Sequence, residues 1–155
     1  MELQGQTALV TGGTAGIGLE SARLLAREGS DVIITGRDVE RGKNAVDAFE
    51  EAGSVRFVAA DLSDLDSVAE LIRQTGPVDI IVNNAGSFPV APTVDQQVAS
   101  FEQIFDPNVR GAYFLVAQLV PHMLERDEAA SSTSPRSPRR RGSRARPSTA
   151  RPRRR

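Results

Sequence analysis

Thr11-Gly12-Gly13-Thr14-Ala15-Gly16-Ile17-Gly18 is the stretch on which the fold turns. It follows a short apolar run, residues 6–11, and precedes residues 17–28, where Ile17, Leu24 and Leu25 recur with small alanines at helical spacing. The order is therefore strand, glycine-rich turn, helix. Glycines in such a turn let backbone approach a pyrophosphate, and the helix start offers unpaired N–H groups at the positive end of its dipole.

The same alternation continues downstream. Residues 31–35 are a second β-branched run, followed by an expected helix over 38–52 that stops at Gly53. Val55 to Ala59 predict a third strand, Asp64 caps a helix running to Gln74, and Gly76-Pro77 ends it. Val78 to Val82 reads as a fourth strand, apolar on both faces, and helices are expected over 96–105 and 109–126. Strands alternating with helices predict an α/β fold, a Rossmann-type doubly wound parallel sheet with helices on both faces.

A length of 155 residues with 39% hydrophobic side chains suits one folded domain. The chain has no cysteine and a single histidine, His122, so no metal site is expected. No segment reaches the ~20 apolar residues that cross a bilayer, and no leader pattern opens the chain, so a soluble, cytoplasmic, untargeted protein is expected. The net charge of −1 conceals an asymmetry: residues 1–127 hold 19 acidic and 9 basic side chains (−10), residues 128–155 hold 1 and 10 (+9). The expected division is a dinucleotide-binding domain over 1–126, incomplete, and an Arg/Ser/Pro-rich tail over 127–155.

Four blocks in order make the chain resemble the dehydrogenase/reductase branch of the short-chain dehydrogenase/reductase family: Thr-Gly-x-x-x-Gly-x-Gly at 11–18, Asp61-Leu62, Asn83-Asn84-Ala85-Gly86, and Asn108-Val109. Each stands at a strand end or helix start. The resemblance, over residues 3–126, implies an NAD(P)-dependent oxidoreductase interconverting alcohols and carbonyls by hydride transfer. It implies that Thr11, Gly12, Gly16, Ile17 and Gly18 border the pyrophosphate and that Asp61 and Leu62 border the adenine. Asn84 would tie neighbouring strands, Ala85 and Gly86 would leave room beside the ribose, and Asn108 would be the helix-kinking asparagine of the family's proton relay. Where NAD-selective sites place a carboxylate at the second strand's end, this chain has Gly36 and then Arg37, which favours NADP over NAD. By family habit the intact form is a homo-oligomer through the helix at 109–126.

Family catalysis also needs a tyrosine, a lysine four residues later and a serine about thirteen residues earlier. The chain holds one tyrosine and one lysine: four residues after Tyr113 stands Ala117, and Lys43 lies far upstream. Tyr113 is therefore expected to pack on its helix, and the chain as given is expected to be inactive. His122, Phe88 and Pro89 read as surface helix and loop rather than pocket wall. From Asp127 the chain turns to Ser, Pro and Arg, and residues 128–155 contain no Leu, Ile, Val, Phe or Met, which predicts disorder.

A shift of reading frame would account for the break, with Arg153 encoded as A-G-G. Triplets begun on the third base of each codon from Ala130 allow Ile-Val-Asn-Ile-Ser-Ser, a strand with its serine, and those from Ser148 allow Tyr-Gly-Ala-Ser-Lys. That tyrosine falls thirteen codons after the second serine, and the two threonines of the tail, Thr133 and Thr149, sit where asparagine and tyrosine are required. Residues from about 127 are thus expected to be a frameshifted translation. The alternative is a non-catalytic dinucleotide- or nucleic-acid-binding module using ten tail arginines; absence of tail aromatics and lysines disfavours nucleic acid. A chain ending here is further expected to leave the fourth strand as an apolar edge and to be poorly soluble.

Overall fold

A computed structural model describes residues 2–49, 54–90 and 92–133, with side chains through Arg126. Four parallel strands, β1 (Thr7–Thr11), β2 (Asp31–Gly36), β3 (Val55–Ala59) and β4 (Ile80–Val82), lie in the order β3-β2-β1-β4. β1 aligns with β2 through Leu9↔Ile33 and Val10↔Ile34, and with β4 through Leu9↔Ile81. The helices α1 (Gly16–Arg27), α2 (Val39–Asp47), α3 (Leu65–Thr75), α4 (Val98–Phe105) and α5 (Ala112–Thr133) complete the expected doubly wound architecture.

Side chains alternate across the strands, giving one core on each face of the sheet. Leu9, Ile33 and Val58 pack with Val68 and Leu71 of α3 and with Leu115 and Leu119 of α5. Val10, Val32 and Ile34 pack with Ala22 and Ala26 of α1 and Ala45 of α2. The contact face of α1 differs from expectation: Ile17 and Leu24 are exposed, and Gly18, Ala22 and Ala26, four residues apart, meet the sheet. Small residues there bring α1 close to β1 and so hold the glycine turn at the strand's carboxyl end.

Helix boundaries follow local chemistry. Asp38 Oδ1 accepts the Arg41 N–H at 3.0 Å and starts α2, and Asp64 Oδ1 accepts the Asp66 N–H at 3.0 Å and starts α3. α2 stops at Asp47, short of the expected 52; the Gly53 stop lies outside the described residues. Gly76, at φ 68, ends α3, and Arg56 Nη2 donates to the Gln74 and Thr75 carbonyls at 3.0 and 3.2 Å. β4 begins at Ile80 rather than Val78; ahead of it Val78 is buried in the core and Asp79 locks onto Thr7, the Thr7 N–H donating to Asp79 Oδ2 and the Asp79 N–H donating to the Thr7 carbonyl, each at 2.8 Å.

The expected helices over 96–105 and 109–126 become α4, a π-helical turn over Asp106–Gly111, and α5. Pro107 has no N–H for the helical ladder, so regular α-geometry gives way there. α5 continues to Thr133, past the expected boundary at 126. Glu128, Ala129 and Ala130 are strong helix formers extending an existing helix, for which apolar side chains are not required. The disorder expected of the tail beyond Thr133 falls outside the described residues.

Among the described residues β4 pairs only with β1, and Phe101, Phe105, Tyr113, Phe114 and Leu124 of α4 and α5 are exposed. No helix of the described residues is long and apolar enough to cross a membrane, and they contain no His/Cys/Asp/Glu group that could hold a metal.

Candidate functional site

The glycine turn joins β1 to α1 and is clamped to the loop after β4. Thr11 is fully buried; its Oγ1 accepts the Asn84 and Ala85 N–H groups at 3.1 and 3.0 Å and donates to the Val82 carbonyl at 3.4 Å. Asn84 Nδ2 donates to the Thr11 and Gly12 carbonyls, both at 3.1 Å. Gly12 sits at φ +64, where a Cβ would lie 2.9 Å from Ala85 Cα. A Cβ on Gly18 would collide with Asn84 Nδ2 and the Gly12 carbonyl. Both positions need glycine to bring the two loops together, and Asn84 ties the strand ends as expected. Ala15, the N-cap of α1, supplies no capping oxygen, so the first turn begins without a side-chain acceptor and can offer its N–H groups to an anion.

A second junction lies at the π-helical turn. Asn108 Oδ1 accepts the Ser87 N–H at 2.7 Å, and its Nδ2 donates to the Ser87 carbonyl at 2.8 Å, so the side chain fastens the bent helix to the loop after Gly86. Arg110 Nη2 donates to the Ser63 carbonyl at 3.1 Å and pairs with Asp106 at 2.9 Å. Gly111 is buried against the Leu62 carbonyl, and any Cβ there would overlap it. The loops after β3 and β4 are thereby held to one helix.

Asp61 occupies the loop after β3, where its Oδ1 accepts the Ser63 hydroxyl at 2.7 Å and the Ser63 N–H at 2.9 Å. Burial pushes its carboxyl up, but the two Ser63 hydrogen bonds and the Arg37 guanidinium's field outweigh this and hold it below the usual carboxylate range. Arg37 follows directly on β2. At Gly36 a Cβ would come 3.1 Å from Thr14 Cγ2, so the glycine turn fills the space that a side chain at the end of β2 would take.

These loops surround a cleft of about 900 Å³ at the carboxyl ends of the strands, where ligands of open α/β sheets bind. Of the expected residues, Gly12, Arg37, Asp61, Leu62, Ala85 and Gly86 line it. Thr11, Gly18, Asn84 and Asn108 stand behind the lining as the clamps described above. Gly16, at φ +54 with nothing near its missing Cβ, and Ile17, 80% exposed, open the first turn of α1 and present only backbone toward a ligand there. Thr14, Asp38, Arg41, Ser87, Glu102 and Gln103 also line the cleft and were not anticipated. Arg41 stands four residues after Arg37, a spacing that would have revealed it; the α4 residues carry no motif. Pro89 reaches the wall, contrary to its expected place in a plain loop, whereas Phe88 is exposed. His122 is an exposed helix residue 3.8 Å from Glu125. Tyr113 is 67% exposed and meets Phe114 edge-on at 5.3 Å.

The short chain dehydrogenase family model matches residues 6–131, four-fifths of the chain. The chain belongs to the short chain dehydrogenase family. Among curated relatives it is 36% identical over 129 residues to gluconate 5-dehydrogenase of Gluconobacter oxydans, covering 80% of this chain and 50% of that one. It is 35% identical over 128 residues to galactitol 2-dehydrogenase of Agrobacterium fabrum, covering 81% and 50%. Among solved structures, one short chain dehydrogenase/reductase family protein shares 62% identity with a TM-score of 0.77, covering 81% of this chain and 53% of that one. L-sorbose reductase of Gluconobacter frateurii, complexed with NADPH and L-sorbose, shares 30% identity with a TM-score of 0.75, covering 81% and 51%. The chain thus spans about half the length of the short chain dehydrogenases it matches. Its glycine cradle, which a Cβ at residue 12 or 18 would fill, and the uncapped first turn of α1 fit a dinucleotide diphosphate.

Proposed function

We propose that this chain is the coenzyme-binding half of an NADP(H)-dependent short chain dehydrogenase acting on an alcohol or carbonyl. The observation that carries the reading is the glycine turn clamped by Thr11 and Asn84 at the mouth of the cleft. Gly12, Gly16, Ile17 and Gly18 hold the diphosphate through backbone N–H groups, Ala85 and Gly86 leave space for the ribose, and Asp61 with Leu62 borders the adenine. Bound nicotinamide supplies the hydride donor or acceptor. The phosphorylated coenzyme is preferred because no carboxylate stands at residue 36, where Thr14 fills the space, and because Arg37 is placed to meet a 2′-phosphate. NADPH-bound L-sorbose reductase supports the same preference by likeness.

Asn108 is the proton-relay asparagine of the intact enzyme. In this structure its side chain is engaged by the Ser87 backbone, which leaves the π-helical backbone around it to position a water. These 155 residues contain no Tyr-x-x-x-Lys pair, and on this reading they turn over no substrate; the serine, tyrosine and lysine belong to the second reading frame from about residue 127. Location in a reducing cytoplasm fits a chain without cysteine.

Calorimetric titration with NADPH and NADH tests the coenzyme assignment. The parent should bind NADPH at least tenfold more tightly, and Arg37→Asp should reverse the order; equal affinity in both proteins would refute the preference. Nucleotide sequencing across codons 120–155 and beyond tests the second frame, which an interrupted frame lacking the Tyr-x-x-x-Lys codons would eliminate.

A further inference from the structure

We infer that Arg110 is a positioning residue: it ties the loop after β3 to the π-helical turn that carries Asn108, so that filling the adenine end of the cleft sets the placement of that asparagine. The inference rests on the dinucleotide reading given above, in which Asp61 and Leu62 border the adenine and Asn108 belongs to the proton relay.

The turn over Asp106–Gly111 is held from outside rather than by its own ladder. Pro107 supplies no N–H to that ladder, and no side chain caps the turn. Three fastenings replace them. Asn108 engages both the N–H and the carbonyl of Ser87. Arg110 Nη2 donates to the Ser63 carbonyl at 3.1 Å, and Gly111 lies against the Leu62 carbonyl. Two successive carbonyls of the loop after β3 thus meet two successive residues of the turn. Ser63 also holds Asp61, donating to its Oδ1 from the N–H at 2.9 Å and the hydroxyl at 2.7 Å. A line of hydrogen bonds therefore runs from Asp61 through Ser63 to Arg110, two residues from Asn108.

Arg110 is itself anchored, because Asp106, four residues earlier, pairs with the same Nη2 at 2.9 Å. Leu62, Ser63, Ser87 and Asp106 all line the cleft, whereas Arg110 stands behind it, half-exposed. It meets a ligand only through the loop it holds. An ion pair this exposed contributes little to stability, so its effect is on geometry. A ligand that shifts or stiffens the Asp61–Ser63 loop acts on the Asn108 turn along this line of bonds.

The test uses NMR of the isotope-labelled full chain with 5′-ADP, which carries the adenine end of the coenzyme and stops at the diphosphate. In the parent, saturating 5′-ADP should displace the Asn108 side-chain amide signals. Arg110→Met keeps an unbranched stem but loses both contacts, and at saturation it should lose most of that displacement, whatever its affinity. Both contacts come from one nitrogen, so Arg110→Lys, with three donors on a single ammonium, should restore the displacement. Circular dichroism of each variant verifies equal folding. Should Arg110→Met not fold, Asp106→Asn, which removes the anchoring charge, should reduce the displacement in its place. An undiminished displacement in the folded methionine variant, or a lysine variant that behaves as the methionine one does, would overturn the role of Arg110. A parent that binds 5′-ADP with Asn108 unmoved would also overturn it and leave the dinucleotide reading standing. A folded parent that binds no 5′-ADP would overturn both.

Discussion

Thr11→Val isolates the hydrogen bonds that join the glycine turn to the loop after β4. Valine keeps the buried shape but removes the oxygen that accepts the Asn84 and Ala85 N–H groups at 3.1 and 3.0 Å. Leaving a buried donor unsatisfied costs about 1–3 kcal/mol. Both bonds are only part-buried, which places each loss near the lower end, so the variant should be destabilised by about 2–4 kcal/mol. Against a domain stability of about 5–15 kcal/mol, that is a large fraction. Thr11→Ser retains the hydroxyl and should lose only about 1 kcal/mol from the missing methyl. Urea denaturation followed by circular dichroism measures both. The loop carrying Ala85 and Gly86 should also loosen, so dinucleotide affinity should fall in the valine variant and persist in the serine one. A valine variant within about 0.5 kcal/mol of the parent, with unchanged affinity, would show that Thr11 is not the clamp.

Three further outcomes follow from the loops around the cleft. Ser63→Ala removes one of two donors to Asp61, so the carboxyl should titrate at a higher pH than in the parent; NMR of the side-chain carboxyl reads the change, and an identical midpoint would exclude the hydroxyl bond. Because the folded Asp61 pKa is depressed, its stabilising contribution is present above the unfolded value near 3.9 and is lost as pH falls through the folded value. The pH dependence from this group should accordingly lie below about pH 4, with less of it in the alanine variant. Gly111→Ala forces a Cβ into the Leu62 carbonyl and should cost about 2 kcal/mol or more in denaturation midpoints, where a surface glycine would gain stability from alanine. Adding charge to the edge strand β4, as in Ile81→Lys, should lower stability, because Ile81 packs against the buried core; a variant as stable as the parent would contradict that packing.

The four strands and their alternation with helices were legible because β-branched runs alternate with helix-length segments and each break carries glycine, proline or aspartate. The residues of the candidate site were marked by the motifs that carry the family resemblance, Gly12, Gly18, Asn84 and Asp61, whereas the contacts that make glycine necessary at 12 and 18 come from the distant Asn84-Ala85 loop. The buried face of α1 was misread at Ile17 and Leu24, which outweigh alanine in any hydrophobic count, whereas Gly18, Ala22 and Ala26 are buried against the sheet with Leu19 and Leu25 packed beside them. The π-helical turn was not legible as such. Asn108 and Pro107 mark a bend, but its geometry is completed by Ser87 and Leu62, distant in sequence. The α4 wall of the cleft escaped for the same reason, since Glu102 and Gln103 acquire their position from tertiary packing alone.

The central claim is that the turn from Thr11 to Gly18 is a seat for a dinucleotide diphosphate, and calorimetric titration of the folded protein with NADPH tests it most directly. One coenzyme should bind per chain, with the heat abolished in Gly18→Val while helix content is retained. A folded parent that takes up neither NADPH nor NADH, or a Gly18→Val variant that binds as the parent does, would contradict the account.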